Sequence, residues 1–247
     1  MGIPRFSNGL VLAIGVVYLI GSNAVVANDN RVSPRRPGPT VATTTQPSQA
    51  FLDAIPAPFR ENVSSVIRTS TLAAKASEEP FTAHAKVYDW LVDHPDRSSL
   101  AWRRMDVPCV EIKDLGNGKF FWTDSNGSEL TWQVAAKFAD GMVWYATGKV
   151  KASAVMPMVP VKAVAILKMP RKTADVQVEI ATFEPSVNVY LQTDSRAATV
   201  LLKMVGPAAP RMAEQGAEQL LLFFSGPARY IHDHPDEATN LLAPAKK

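Results

Sequence analysis

Apolar and polar residues alternate with period two through the middle of this chain, and recur with a period near 3.6 on either side of it. In ELTWQVAAKF, Leu130, Trp132, Val134, Ala136 and Phe138 share one face of an extended segment, while Glu129, Thr131, Gln133 and Lys137 share the other. GMVWYATGKV places Met142, Trp144, Ala146 and Val150 together, and KFFWTD supplies Phe120 and Trp122. PVKAVAILKM, DVQVEIATF and SVNVYLQT continue the pattern: Val176, Val178 and Ile180 oppose Asp175, Gln177 and Glu179, and Val187, Val189 and Leu191 oppose Asn188, Tyr190 and Gln192. Asn117-Gly118, Asn126-Gly127 and Asp140-Gly141 punctuate the run. These dipeptides tolerate the positive φ of tight hairpin turns. The stretch from Cys109 to Thr193 therefore predicts about seven strands in an antiparallel meander with one dry face.

The flanks read as helices. FLDAIPAPFRENVSSVIRTS predicts a short helix from about Pro58, with Phe59, Val63, Val66 and Ile67 on one face. TSTLAAK fits helix or strand. FTAHAKVYDWLVDHP predicts a helix capped by Thr82, with Val87, Trp90 and Leu91 on its buried side. SSLAWRRM adds a second short helix carrying Leu100, Trp102 and Met105. Beyond the strands, RAATVLLKMVG carries Ala198, Leu201, Leu202 and Val205 on a stripe that Gly206-Pro207 ends or kinks. PRMAEQGAEQLLLFFSGPARYIHDHP carries Met212, Ala213, Gly216, Leu220, Phe223 and Phe224 on another, with a bend expected at Gly226-Pro227. The whole predicts an α+β fold in which an antiparallel sheet packs against a long C-terminal helix, preceded by short N-terminal helices.

Two stretches echo each other: WLVDHPDRS from Trp90 and YIHDHPDEA from Tyr230. Proline disfavours helical geometry in the residue before it, so His94 and His234 should each end a helix. Pro95 and Pro235 then suit the first position of a new turn, Asp96, Asp236 and Glu237 suit its positive end, and Asp93 and Asp233 can cap. The competing reading is a metal site built from His232, His234 and Asp236, joined by His84 or His94. His232 and His234 diverge by roughly 200° on a helix, and zinc needs three or four convergent ligands. Helix termination accounts for more of these residues, so no metal is expected.

The first residues change the picture of compartment. Arg5 is followed by an apolar core from Leu10 to Ile20, a polar break at Gly21 to Asn23, and small residues up to Ala27. This has the form of an export signal covering residues 1–27, with an uncleaved N-terminal anchor as the alternative. Both place the remainder in an extracytoplasmic space, periplasmic or secreted, and an anchor would tether it to the membrane. No cysteine sits at the cleavage position, which argues against a bacterial lipoprotein. Residues 28–50, rich in Pro, Thr and Ser, read as a disordered linker. Residues 51–247 read as a single α+β domain with a short flexible tail.

The 247 residues are 47% apolar and 20% charged, with a net charge of +3. No basic stripe interleaved with aromatics accompanies that charge, so no nucleic-acid partner is expected. Cys109, the single cysteine, has no partner for an internal disulfide and no neighbouring base in sequence, so it reads as a small buried side chain rather than a nucleophile. HExxH, GxSxG, P-loop and dinucleotide fingerprints are absent. No catalytic residue and no cofactor is assigned.

The remaining candidate chemistry is aromatic. Trp122, Trp132 and Trp144 fall where they can share a sheet face, opposite Phe223 and Phe224 of the last helix. They line either a cavity for an apolar ligand or a filled core.

The element order, together with AKVYDWLVDHPDRSSLAWRRM, whose aromatic-rich helix ends in Leu-x-Asp-x-Pro, resembles START-like helix-grip domains over about residues 66–235. That family opens with a strand, which only TSTLAAK can supply here. The resemblance implies a sheet curved around the last helix and a hydrophobic or lipid-like ligand between them; it carries over no catalytic position. The leader, the paired DHPD stretches, EQGAEQLLLFF and the Gly-Pro breaks are also similar to uncharacterised exported proteins of planctomycete bacteria, a likeness that implies no activity. Three functions follow as expectations: binding of a hydrophobic small molecule or lipid without catalysis, an envelope interaction module with a filled core, and, last, a metal-dependent hydrolase using His232 and His234. N-terminal sequencing of protein recovered from its native host tests the leader: cleavage predicts a chain beginning at Asn28, and an intact Met1 with membrane fractionation would instead mark the anchor.

Overall fold

The computed structural model describes residues 46–124, 126–151, 158–175, 179–194 and 209–243. The leader, the linker to residue 45, Val176, Val178, the RAATVLLKMVG stretch and the last four residues lie outside them. The fold is α+β. Seven antiparallel strands form one sheet: β1 (Leu72–Ser77), β3 (Ile112–Gly116), β4 (Lys119–Thr123), β5 (Glu129–Phe138), β6 (Gly141–Val150), β7 (Val159–Lys168) and β10 (Ser186–Thr193), in the spatial order β1-β10-β7-β6-β5-β4-β3. A second, three-stranded sheet is ordered β2 (Phe81–His84), β9 (Ile180–Phe183), β8 (Arg171–Asp175). The 25-residue helix α5 (Ala209–Asp233) packs against the large sheet, as in a helix grip. Among the described residues five shorter helices accompany it: α1 (Gln49–Asp53), α2 (Ala57–Arg68), α3 (Ala85–Asp93), α4 (Pro95–Arg104) and α6 (Ala238–Leu242).

Several expectations are refined by the packing. TSTLAAK resolves as strand: β1 pairs along its length with β10, Leu72 opposite Leu191 and Ser77 opposite Ser186. Thr82 does not cap a helix. It lies in β2 opposite Thr182, and α3 starts three residues later without a side-chain cap. A helix already begins at Gln49, where the Ser48 hydroxyl accepts a bond from the Phe51 N–H. Order is therefore in place two residues before Phe51. Asn117-Gly118 makes the expected tight turn, with φ of 54° and 67°. At Asp140-Gly141 the turn residues are Ala139 and Asp140, since Phe138 already pairs with Gly141. Glycine is needed there because a Cβ would meet the Leu167 carbonyl of β7.

The sheet is dry on both faces, not one. Register shifts between Val134 and Ala136 of β5, and this bulge turns the remainder of the strand over. Leu130, Trp132 and Val134 face α5, whereas Ala136 and Phe138 join Val143, Tyr145, Val164, Ile166 and Tyr190 on the opposite face. There α1 and α2 cover them. Val63, Val66 and Ile67 of α2 are buried against that second cluster, each contributing roughly 1.5–3 kcal/mol relative to exposure. Arg60 holds α1 to α2 by donating to the carbonyls of Asp53 (2.7 Å) and Ile55 (3.1 Å), groups that the end of a short helix leaves open.

Helix α5 does not end at Gly226-Pro227; it runs on to Asp233. Proline has no N–H, so the carbonyl four residues earlier, that of Phe223, loses its helical donor. The Trp102 indole of α4 supplies the missing bond, its Nε1 donating to the Phe223 carbonyl at 2.9 Å. Gly226 makes room for that ring, since a Cβ there would penetrate it. The two residues expected to bend the helix thus form the slot that docks α4 on it. Replacing Trp102 by Phe should cost about 1–3 kcal/mol through the carbonyl it orphans. The cost should shrink in a Pro227→Ala background, where a backbone N–H returns. Urea denaturation of the two single variants and the double variant measures that coupling; additive losses would show that the slot is not the connection.

Candidate functional site

The aromatic residues expected to face one another do so. Trp122 of β4, Trp132 of β5 and Trp144 of β6 line a cavity closed above by Leu220, Phe223 and Phe224 of α5. Trp144 and Phe224 lie 5.4 Å apart between ring centroids, and Phe223 meets Phe224 edge-on at 4.7 Å. The floor is made of small residues, Ala146 of β6 with Ala163 and Ala165 of β7, and Val189 of β10 adds to it. Register explains the arrangement: Trp132 stands opposite Ala146, and Trp144 opposite Ala165. Large rings beside alanines leave a hollow instead of an even layer. Pro95, Val110 and Ile112 complete the lining, which is almost wholly apolar. The space amounts to about 40 Å³.

Two of the lining residues carry a buried polar atom without a partner. Trp122 and Trp144 are 4% and 5% exposed, and the Nε1–H of each is buried with no hydrogen-bond partner among the described residues. Trp132 is not among these orphans. The alanine floor, Pro95 and the two indole donors were not identifiable as site features from sequence. The tryptophan–alanine register across three strands is the signal that encodes the floor.

The two DHPD stretches take the same form. His94 and His234 have nearly identical backbone angles, φ −127°, ψ 68° and φ −132°, ψ 67°. Each ring stacks on the aromatic residue four positions earlier, Trp90 at 4.5 Å and Tyr230 at 4.3 Å. Each Nδ1 bonds the carbonyl of that same residue, at 2.8 and 3.1 Å. Pro95 begins α4, and Pro235 begins a 3₁₀ turn over Pro235–Glu237. Neither start has a side-chain cap, so Asp93 and Asp233 do not cap; Asp93 instead pairs with Lys137 at 2.6 Å. His232 meets His84 edge-on at 5.8 Å, while His234 is spent on Tyr230. Among the described residues no three His, Cys, Asp or Glu side chains converge, so His232, His234 and Asp236 do not assemble a ligand set.

Cys109 lies beside Ser99, whose hydroxyl donates to the Val110 carbonyl. Burial pushes its thiol up to about 11, which keeps it protonated and a poor nucleophile.

One polar cluster sits where the turn after β1 meets α5. Glu78 Oε1 accepts from Ser225 Oγ and from Arg229, both at 2.7 Å, and the Arg229 guanidinium lies over the Phe81 ring at 4.6 Å. Glu78 Oε2, Arg229 Nε and the Tyr88 hydroxyl are buried without hydrogen-bond partners among the described residues. Burial raises the Glu78 carboxyl above its ordinary value, although Ser225 and Arg229 pull the other way. Burial, reinforced by the Glu78 charge, also pushes the Tyr88 hydroxyl far above the usual phenol range.

No family model matches the chain, and no curated protein matches it. Among solved structures it is similar to an uncharacterized protein from Rhizobium leguminosarum, at 13% identity and a TM-score of 0.27, over 62% of this chain and 97% of that one. A likeness at that level carries no argument about function.

The Glu78 cluster sets a pH response. With its folded pKa above the ordinary 4.5, the folded state holds more protons than the unfolded chain between those two values. Its contribution to stability is therefore complete below the ordinary value and declines as pH rises through the folded one. Thermal melts of wild type and Glu78→Gln from pH 4 to pH 8 should show the wild type losing stability relative to the variant over that window. Parallel curves would remove Glu78 as the source.

Proposed function

We propose that this protein is a non-catalytic helix-grip domain that holds a small hydrophobic molecule, or the end of a lipid chain, between its large sheet and α5, in an extracytoplasmic space. The cavity under α5 carries this reading: it is apolar, ringed by Trp122, Trp132 and Trp144, and floored by alanines. Concave apolar sites of this kind, between packed layers, are where proteins take up such ligands. The resemblance to START-like domains points the same way. With about 40 Å³ free, the site as it stands admits a few heavy atoms; drug-sized ligands occupy roughly 300 Å³ or more. A bulkier molecule requires the phenylalanines of α5 to swing aside.

That same volume favours a second reading, an envelope interaction module with a nearly filled core, in which the tryptophans serve packing alone. Titration with a hydrophobic fluorophore and with fractionated lipid extracts separates the two. Ligand binding predicts saturable uptake by the wild type and at least a tenfold loss on filling the floor with Ala163→Leu, or with the milder Ala165→Val should the larger side chain unfold the domain. Overpacking of this sort costs about 1–3 kcal/mol, so circular dichroism must accompany each titration. Absence of saturable binding by the folded wild type would overturn the first reading, and stable partners recovered from envelope fractions would then support the second.

A further inference from the structure

Proteins seldom leave buried N–H donors unpaired, because each costs about 1–3 kcal/mol when orphaned. Two such donors are the indole Nε1–H groups of Trp122 and Trp144, on side chains more than nine-tenths buried. Both belong to residues that line the same apolar space. The contrast with Trp102 is informative, since that indole finds a backbone carbonyl at 2.9 Å. The lining side chains offer donors and no acceptor: the others are aliphatic, proline or phenylalanine, and indole donates only.

Resting on the ligand-binding reading above, we infer that the cavity selects an apolar molecule bearing an uncharged hydrogen-bond acceptor, such as a ketone, ester or amide carbonyl, which at least one of the Trp122 and Trp144 indoles engages. A pure hydrocarbon satisfies the walls and leaves the donors orphaned. A carboxylate would bring a charge into a site that offers no cation among its lining residues, and desolvating that charge is expensive. A hydroxyl has to place its own donor as well, and no lining side chain accepts it. The carbonyl class supplies the acceptor these donors lack and brings no donor of its own.

Cyclopentanone and methylenecyclopentane have the same shape and the same number of heavy atoms, and differ in whether an acceptor is present. Titration of the full chain with each, followed through the side-chain indole N–H resonances, tests the inference. Cyclopentanone should bind about three- to tenfold more tightly than the hydrocarbon, the range of one net neutral hydrogen bond. It should also move the Nε1–H resonance of Trp122 or Trp144 downfield while leaving Trp102 in place. Trp122→Phe together with Trp144→Phe should retain hydrocarbon uptake and erase the preference; should the double variant fail to fold, either single variant carries the same comparison. Equal affinities with no indole shift would overturn the inference and leave the ligand-binding reading standing. Binding of neither probe would overturn both.

Discussion

The bond from the Trp102 indole to the Phe223 carbonyl fixes where α5 lies, and most of the structure follows from that position. Pro227 opens the carbonyl, Gly226 clears the space, and Trp102 fills it. A proline inside a helix ordinarily costs about 3 kcal/mol or more. Here the lost bond is replaced from a different helix, which converts a local defect into a tertiary contact. Phe223 presents its carbonyl to α4 and its ring to the cavity, so the same residue docks the helix and roofs the site.

Beneath that roof the hollow is a consequence of side-chain size. Antiparallel register sets Trp132 against Ala146 and Trp144 against Ala165. The bulge in β5 keeps Trp132 toward α5 while turning Ala136 and Phe138 to the far side, where α1 and α2 bury them. Cover on both faces makes the sheet a rigid wall. Space left on one side of it is not readily closed by collapse, because the other side is already packed.

Apart from the two indole donors, the polar clusters lie at the margins. The two His-Pro corners use each histidine ring as a plate stacked on the preceding aromatic and as a partner for its carbonyl. That geometry ends a helix without any capping side chain. Pro95, the residue after the first corner, also reaches the cavity lining, so the helix stop contributes to the site's wall. The Glu78, Ser225 and Arg229 cluster pins the turn after β1 to α5 at the price of burying polar atoms that remain unpaired. Among the described residues neither region brings together three metal ligands.

Periodicity by itself determined the fold class, most of the strands, the long amphipathic C-terminal helix and the shared apolar side on which Trp122, Trp132, Trp144, Phe223 and Phe224 lie. These are local properties, since alternation fixes which side a residue takes along an unbulged strand and helical spacing fixes a stripe. Proline at position 95 or 235 likewise dictates a stop from chain geometry alone. Tertiary structure decided the rest. TSTLAAK has no preference until β10 offers it an edge, and FTAH becomes a strand only because β9 lies beside it. Glycine followed by proline reads as a bend, and only the fold brings an indole from a residue more than a hundred positions away to supply the absent bond. Whether three tryptophans enclose a space or fill it depends on which small side chains face them across the sheet. That is set by strand register and by a one-residue bulge, and neither is written in the period of any single segment.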